Sequence, residues 1–307
     1  MKGLVVNQDQ SVSLKTGLEL PRAQEGEVMV RVHSASVNPF DRESAEGRFD
    51  PYFKEYGVDK QVQTGLEFSG TVQKDGKRFK QGDAVFGYVH MITGWKTHAE
   101  YIAINEDYLA LKPENSSFVE AAAIPLGALT TLVAIQEVGQ LKSGMKLLIN
   151  GAAGGLGVHG IQVGKILGAE VTAVATTERF EYLQSLGADH LIDYSQQKVT
   201  DISECFDVIL DLTNSLNLNE VKPLLTENGK FIPAEPNDEN GGNLESKNVG
   251  YLMVTNGDFH QLTQIAQWMS EGKLKAIVDS EYNFTKHQQA FDRVQTKGRK
   301  GRVVMSW

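Results

Sequence analysis

A chain of 307 residues with 41% hydrophobic composition can bury substantial cores, and its length suits two globular domains better than one or three. A net charge of -9 disfavours nucleic-acid partners, and the single cysteine, Cys205, excludes an intrachain disulfide and zinc sites built from two cysteine pairs. No stretch approaches the roughly 18 to 20 apolar residues of a membrane span, and the start lacks a basic head with a long apolar run, so a cytoplasmic protein without a membrane partner is expected.

In chain order, the region up to about residue 113 carries short β-rich runs at 28–32, 70–72 and 84–86, punctuated by glycine-containing turns at irregular spacing. That pattern predicts a small, irregular β-barrel domain. Residues 49–57 read as a loop rich in aromatics. After Ser116 long apolar-periodic helices alternate with buried strands at 147–150, 171–175, 207–210 and 230–232, which predicts a parallel sheet. Residues 233–243, PAEPNDENGGN, read as an exposed connection. From Lys275 the pattern returns to a strand, a helix at 286–294 and a final strand at 302–305.

Directly after the strand at 146–150 stands Gly151-Ala152-Ala153-Gly154-Gly155-Leu156-Gly157, followed by a helix with Val158, Ile161, Val163, Ile166 and Leu167 on its apolar positions. Glycines at such a turn let the backbone approach a pyrophosphate, while the helix start offers free N–H groups and partial positive charge. The context of strand, glycine turn and helix predicts a dinucleotide site. The next strand ends in Ala175-Thr176-Thr177-Glu178-Arg179, where an NAD-specific fold places an acid for the ribose 2'-hydroxyl. Two hydroxyls and a guanidinium suit a 2'-phosphate instead, so NADPH is the expected cofactor, with Glu178 the counter-indication. His159, near the helix start, reads as a helix-surface residue.

The chain resembles the zinc-free quinone oxidoreductases of the medium-chain dehydrogenase/reductase superfamily over nearly its whole length. The likeness is carried by Ser36-Val37-Asn38-Pro39-Phe40-Asp41, Gly65-Leu66-Glu67-Phe68-Ser69-Gly70-Thr71-Val72 and Phe79-Lys80-Gln81-Gly82-Asp83-Ala84-Val85-Phe86-Gly87. It continues through Ala121-Ala122-Ala123-Ile124-Pro125-Leu126, Leu129-Thr130-Thr131, the glycine turn, Leu186-Gly187-Ala188-Asp189, Ile192-Asp193-Tyr194 and Lys300-Gly301-Arg302-Val303-Val304. The resemblance implies an α/β protein: a Rossmann-type doubly wound parallel sheet over 118–272, plus a GroES-like irregular β-barrel catalytic domain built from 1–117 and 273–307. It implies an active-site cleft where the two meet, and a homodimer, with the strand near 249–254 the suggested contact. It places Thr130 beside the nicotinamide carboxamide, Arg179 and Tyr194 near the 2'-phosphate, and Asn38 and Asp41 in the cleft.

Zinc-dependent relatives need an early cysteine and the histidine of a Gly-His-Glu motif. Here residues 38–41 hold no cysteine, Leu66 stands between Gly65 and Glu67, and the seven histidines show no ligand spacing, so no metal is expected. Transfer of a hydride to a quinone or enone puts negative charge on oxygen, which hydrogen-bond donors or solvent must then meet. The candidates are Asn38, Tyr52, Tyr56 and Tyr88. Asn38 before Pro39 equally suits a turn, Asp41 a helix start, and Tyr52 and Tyr56 a packing or lid role. The expected function is NADPH-dependent reduction of a quinone or α,β-unsaturated carbonyl compound; the alternatives are an enoyl-thioester reductase, or a low-turnover cofactor-binding sensor or structural protein.

Overall fold

The computed structural model describes residues 1–296 and 298–307 and falls into two compact units. The first comprises residues 1–126, 255–272 and 276–307; the second comprises 127–254 and 273–275.

The chain opens with an antiparallel hairpin, β1 (Gly3–Val6) and β2 (Val12–Lys15). β3 (Glu27–Val37) follows, then the short helices α1 (Pro39–Ala45) and α2 (Asp50–Glu55), then β4 (Glu67–Val72), β5 (Ala84–Tyr88), β6 (Tyr101–Asn105) and β7 (Leu109–Leu111). α2 occupies the stretch that reads as a loop in the sequence. Asp50 and Pro51 suit its first turn, and Phe53 is turned inward against Phe40 and Phe49, with ring centroids 6.2 Å from each. α3 (Phe118–Ala122) starts at Ser117, whose hydroxyl accepts from Glu120 N at 3.1 Å while the Glu120 carboxylate accepts from Ser117 N at 2.8 Å.

α4 (Pro125–Leu132) leads into the second unit, with β8 (Lys146–Asn150), α5 (Gly157–Ile166), β9 (Glu170–Ala175), α6 (Phe180–Ser185), β10 (His190–Asp193), β11 (Phe206–Asp211), α7 (Leu218–Val221) and β12 (Leu225–Pro233). These five strands are all parallel, in the order β10-β9-β8-β11-β12. Their near-continuous apolar runs are what a sheet covered on both faces requires. Leu148, Val174, Phe206, Ile209, Val221 and Phe231 form one buried cluster within this unit.

The chain then returns to the first unit with α8 (Phe259–Ser270), β13 (Val278–Asn283), α9 (His287–Gln295) and β14 (Arg302–Ser306). β14 pairs antiparallel with β3. The resulting sheet has seven strands rather than a closed barrel. Its path runs β13-β14-β3-β4-β5-β7, and among the described residues no pairing joins its two ends. At eleven residues β3 is long enough for β6 and β14 to share one of its sides while β4 takes the other.

The units divide after Leu126 rather than at residue 117, and α8 groups with the first unit. Polar ties account for both. Ser36 Oγ donates to the Ala122 carbonyl at 2.7 Å, and Asn115 Nδ2 donates to the Met269 carbonyl at 3.3 Å. Arg78 also lies over the Phe259 ring, 4.4 Å from its centroid.

Candidate active site

In the second unit the carboxyl ends of four strands stand level, with Asp193 opposite Ala175, Val174 opposite Asn150, and Asn150 opposite Asp211. Strand order reverses direction between β8 and β11, which is where an open α/β sheet forms its ligand crevice. The glycine turn leaves β8 at this edge. Gly151 has φ +83°, and a Cβ on Gly157 would lie 2.5 Å from the Ala152 carbonyl oxygen, so both positions require glycine. Gly154 differs: it is exposed, and a Cβ there would meet only the Gly151 carbonyl oxygen, at 3.3 Å. Bare backbone facing open space, beside the start of a ten-residue helix, fits the pyrophosphate of a dinucleotide. Ala153, Gly155 and Leu156 complete the turn. α4 comes up against it, since a Cβ on Gly127 would lie 3.3 Å from the Gly155 carbonyl oxygen; Thr130, half-buried, follows one helical turn later.

Sequence reasoning missed a hydroxyl-bearing corner on the other side of β8. Asn150 Nδ2 donates to Asp211 Oδ1 at 2.9 Å, Thr213 Oγ1 at 2.8 Å and Ser215 Oγ at 3.0 Å. Asp211, wholly buried, also accepts from Thr213 N and Leu216 N. The readable signal was a carboxylate closing an apolar strand, Asp211 after Val208-Ile209-Leu210.

His159 is not a helix-surface residue: it is wholly buried, because Gly127 leaves room for its ring. Its Nδ1–H donates to the Gly155 carbonyl at 3.0 Å, and burial holds the imidazole down to about 4. Well above pH 6.5 the ring is neutral in both folded and unfolded chains and contributes nothing to pH dependence. As pH falls the unfolded chain takes the proton first, so stability declines from about pH 6.5 towards 4. We expect His159 to account for about 2 to 3 kcal/mol of lost stability between pH 7 and 4.5. Buried His98, also shifted down, adds to the same slope. Denaturant titrations at both pH values should show a flatter dependence in His159→Asn; an unchanged slope would mean that the ring protonates freely in the folded protein.

At the ends of β9 and β10, Thr177 N donates to Asp193 Oδ2 at 2.9 Å, and the Thr177 hydroxyl donates to the same oxygen. Thr176 Oγ1 donates to Glu178 Oε2 at 2.8 Å. Arg179 ends this short turn half-buried, and Tyr194, 60% exposed, follows Asp193. The structure therefore gathers Thr176, Thr177, Arg179 and Tyr194 at one stretch of the strand ends, with two carboxylates among them.

In the first unit Asn38 and Asp41 come together at the start of α1, where Asn38 N donates to Asp41 Oδ2 at 2.7 Å. Asp41 Oδ1 accepts from Gly65 N at 2.6 Å, so this carboxylate pins α1 to the Gly65-Leu66-Glu67 segment. Burial raises the Asp41 carboxyl; His98, the N–H groups of Asn38 and Gly65, and Arg302 oppose that rise. The Asn38 carboxamide lies between Glu67 and Arg302: Nδ2 donates to Glu67 Oε1 at 3.4 Å, and Arg302 donates to Asn38 Oδ1. Glu67, wholly buried, receives Arg302 on Oε1 and Leu126 N, at 2.8 Å, on Oε2. Burial pulls Arg302 down to about 10, against the nearby Asp41 charge. This network fastens β4, β14 and the starts of α1 and α4, and the sequence reading did not find it.

Around it, Lys96 is buried with Nζ donating to the carbonyls of His90 and Thr93 at 2.9 Å and of Gly94 at 3.4 Å; burial lowers its ammonium to about 7. Tyr88 is buried, and desolvation together with the Asp41 charge holds its hydroxyl protonated. Tyr52 stands on α2, with its hydroxyl 3.3 Å from that of Tyr56.

Level parallel strand ends, a glycine turn with an open backbone face and a cluster of hydroxyls and carboxylates at the ends of β9 and β10 define a dinucleotide-binding α/β protein. Comparison with known proteins narrows the class. Residues 24–141 match the alcohol dehydrogenase GroES-like domain and residues 186–305 the zinc-binding dehydrogenase family. Over 308 aligned residues the chain is 31% identical to a 2-methylene-furan-3-one reductase of Solanum lycopersicum, covering 96% of this chain and 75% of the relative. It is 30% identical, with the same coverage, to a chloroplastic NADPH-dependent alkenal/one oxidoreductase of Arabidopsis thaliana. A quinone oxidoreductase structure from Coxiella burnetii shares the fold, with TM-score 0.86 at 24% identity, covering 100% of this chain and 99% of that one.

The chain belongs to the zinc-free quinone oxidoreductase family of the medium-chain dehydrogenase/reductase superfamily and is an oxidoreductase that uses a nicotinamide cofactor. The residues agree with that membership: buried Leu66 fills the position of the zinc-binding histidine. Among the described residues no group of three His, Cys, Asp or Glu side chains is arranged to hold a metal ion.

Proposed function

We propose that this protein is an NADPH-dependent, metal-independent reductase of quinones or α,β-unsaturated carbonyl compounds. The observation that carries the reading is the open backbone at Gly154 on the level strand ends, in a chain whose relatives at 30 to 31% identity bear the names of enone and alkenal reductases. When bound, the reduced nicotinamide supplies a hydride. The chain's part is to hold it: the turn at 151–157 takes the pyrophosphate, Thr130 flanks the nicotinamide end, and Thr176, Thr177, Arg179 and Tyr194 form the adenosine-ribose end. Much of the rate then comes from fixing donor and acceptor against each other.

Hydride addition to the β-carbon of an enone leaves an enolate, which takes one proton to give the saturated ketone; a quinone takes the same hydride and proton to give the hydroquinone. Tyr52 is the side chain we assign to that proton, exchanging it with solvent. Asn38 and Asp41, whose polar atoms are engaged by Glu67, Arg302 and Gly65, are positioning residues. The homodimer implied by the family would form along β12, where Val249 bridges Phe231 and the apolar side chains Leu244, Tyr251 and Met253 are exposed.

The test is oxidation of NADPH by the purified protein with 1,4-benzoquinone, a 1,2-quinone and a simple enone, with and without a chelator. We expect turnover with at least one acceptor, unaffected by the chelator. Tight cofactor binding without reduction of any acceptor would overturn the reading, and loss of turnover on chelation would overturn its metal-independent part.

A further inference from the structure

The adenosine-ribose end of the site holds more negative charge than a 2'-phosphate would favour. Asp193 ends β10 opposite Ala175, and its carboxylate is fixed from several directions. Oδ1 accepts from Ser195 N at 2.8 Å and Ser195 Oγ at 2.6 Å; Oδ2 accepts from Thr177 N at 2.9 Å, from the Thr177 hydroxyl, and from Gln196 Nε2 at 3.2 Å. Ser195 and Thr177 together hold its carboxyl well below the usual carboxylate range. The Thr176 hydroxyl is likewise directed to a carboxylate, Glu178. Both hydroxyls that a 2'-phosphate would draw on thus already donate to carboxylates of the chain. Glu178 is exposed and can swing outward, whereas Asp193 cannot turn away without giving up the bonds to Ser195 and Thr177.

A fixed carboxylate at this place acts differently on the two cofactors. Its charge repels a phosphate dianion and does not oppose an uncharged ribose hydroxyl. We propose that Asp193 is the cofactor-specificity residue of this chain: a held anion that keeps the ribose end open to an unphosphorylated adenosine ribose, so that NADH serves as hydride donor alongside NADPH. Arg179 supplies the opposing attraction for the 2'-phosphate, and the balance between the two sets the ratio. The inference rests on the reading of residues 176–179 and 194 as the adenosine-ribose end.

The experiment is calorimetric titration of the intact protein with 5'-AMP and 2',5'-ADP, which report on this end of the site without any hydride acceptor. It is paired with kcat/KM for NADH and NADPH. In the wild type we expect both fragments to bind with affinities within about tenfold of each other, a fixed anion offsetting the guanidinium. In Asp193→Asn the preference for 2',5'-ADP should rise by roughly tenfold or more, and the kcat/KM ratio should follow in the same direction. Asp193→Ser, which removes the charge but keeps a short polar side chain, should do the same. Thr177→Val, which leaves the charge in place, should not raise the ratio. Fragment binding with a ratio unmoved in both Asp193 variants overturns the role of Asp193, as does a wild type that ignores 5'-AMP. If neither fragment binds the wild type, the ribose-end reading itself falls, and the proposal with it.

Discussion

Replacing Glu67 by leucine is expected to destabilise the protein by about 3 to 5 kcal/mol, the cost of leaving a buried charge without its partner. Glu67 is wholly buried and Arg302 is 5% exposed, so the Arg302 guanidinium cannot reach water when the carboxylate is removed. Among the described residues it would keep only the Asn38 carboxamide oxygen as an acceptor, and Leu126 N would lose its acceptor. Urea unfolding of Glu67→Leu, Arg302→Met and the double variant measures the coupling. Because removal of both charges also removes the desolvation penalty, the double variant should be less destabilised than the sum of the singles, by about 2 kcal/mol or more. Additive losses would show that the two residues stabilise the fold independently. The same variants would loosen Asn38, so cofactor-dependent turnover should fall further than stability alone explains.

This network also marks where the sequence stopped being readable. Glu67 and Arg302 lie 235 positions apart, and no local pattern joins a glutamate at the start of one strand to an arginine at the start of another. A signal was present at each end: Glu67 sits between Leu66 and Phe68, and Arg302 precedes Val303-Val304-Met305, so each places a charge in an apolar strand. Such a charge must be paired, but only the fold names its partner. His159 was misread for a related reason. Its burial depends on the space left by Gly127, a residue of another helix, which helical periodicity in 157–166 does not report. α2 has only six residues, too few for helical periodicity to show, so 49–57 reads as an aromatic-rich loop.

The parallel sheet was legible because its strands are buried on both faces and need uninterrupted apolar runs, which 147–149 and 208–210 provide. At the ends of β9 and β10, composition pointed to hydroxyls and a guanidinium, while the direction of the Thr177 hydroxyl depends on Asp193, supplied by the neighbouring strand. Residue types near a ligand follow from sequence more readily than the bonds those residues have already made.

The glycine turn allows structural and ligand-facing glycines to be separated by measurement. Gly157→Ala is expected to cost about 2 to 3 kcal/mol, because the new methyl would stand 2.5 to 2.6 Å from the Ala152 oxygen, carbonyl carbon and Cα, all backbone atoms that move only with the turn. Gly154→Ala should leave stability within about 0.5 kcal/mol of the wild type, since the added methyl meets only the Gly151 oxygen at 3.3 Å on an exposed turn. Yet that methyl occupies the face on which we propose the pyrophosphate lies, so cofactor affinity should fall by roughly tenfold or more, the loss of close backbone N–H contact to a phosphate. Thermal unfolding and fluorescence titration with the reduced cofactor test both variants. If Gly154→Ala binds the cofactor as well as the wild type, the pyrophosphate does not lie against Gly154, and the site must be rebuilt around the corner formed by Asn150, Thr213 and Ser215. If instead Gly157→Ala is stable but binds weakly, the close approach to Ala152 relaxes without cost, and the turn is held for the ligand rather than for the fold.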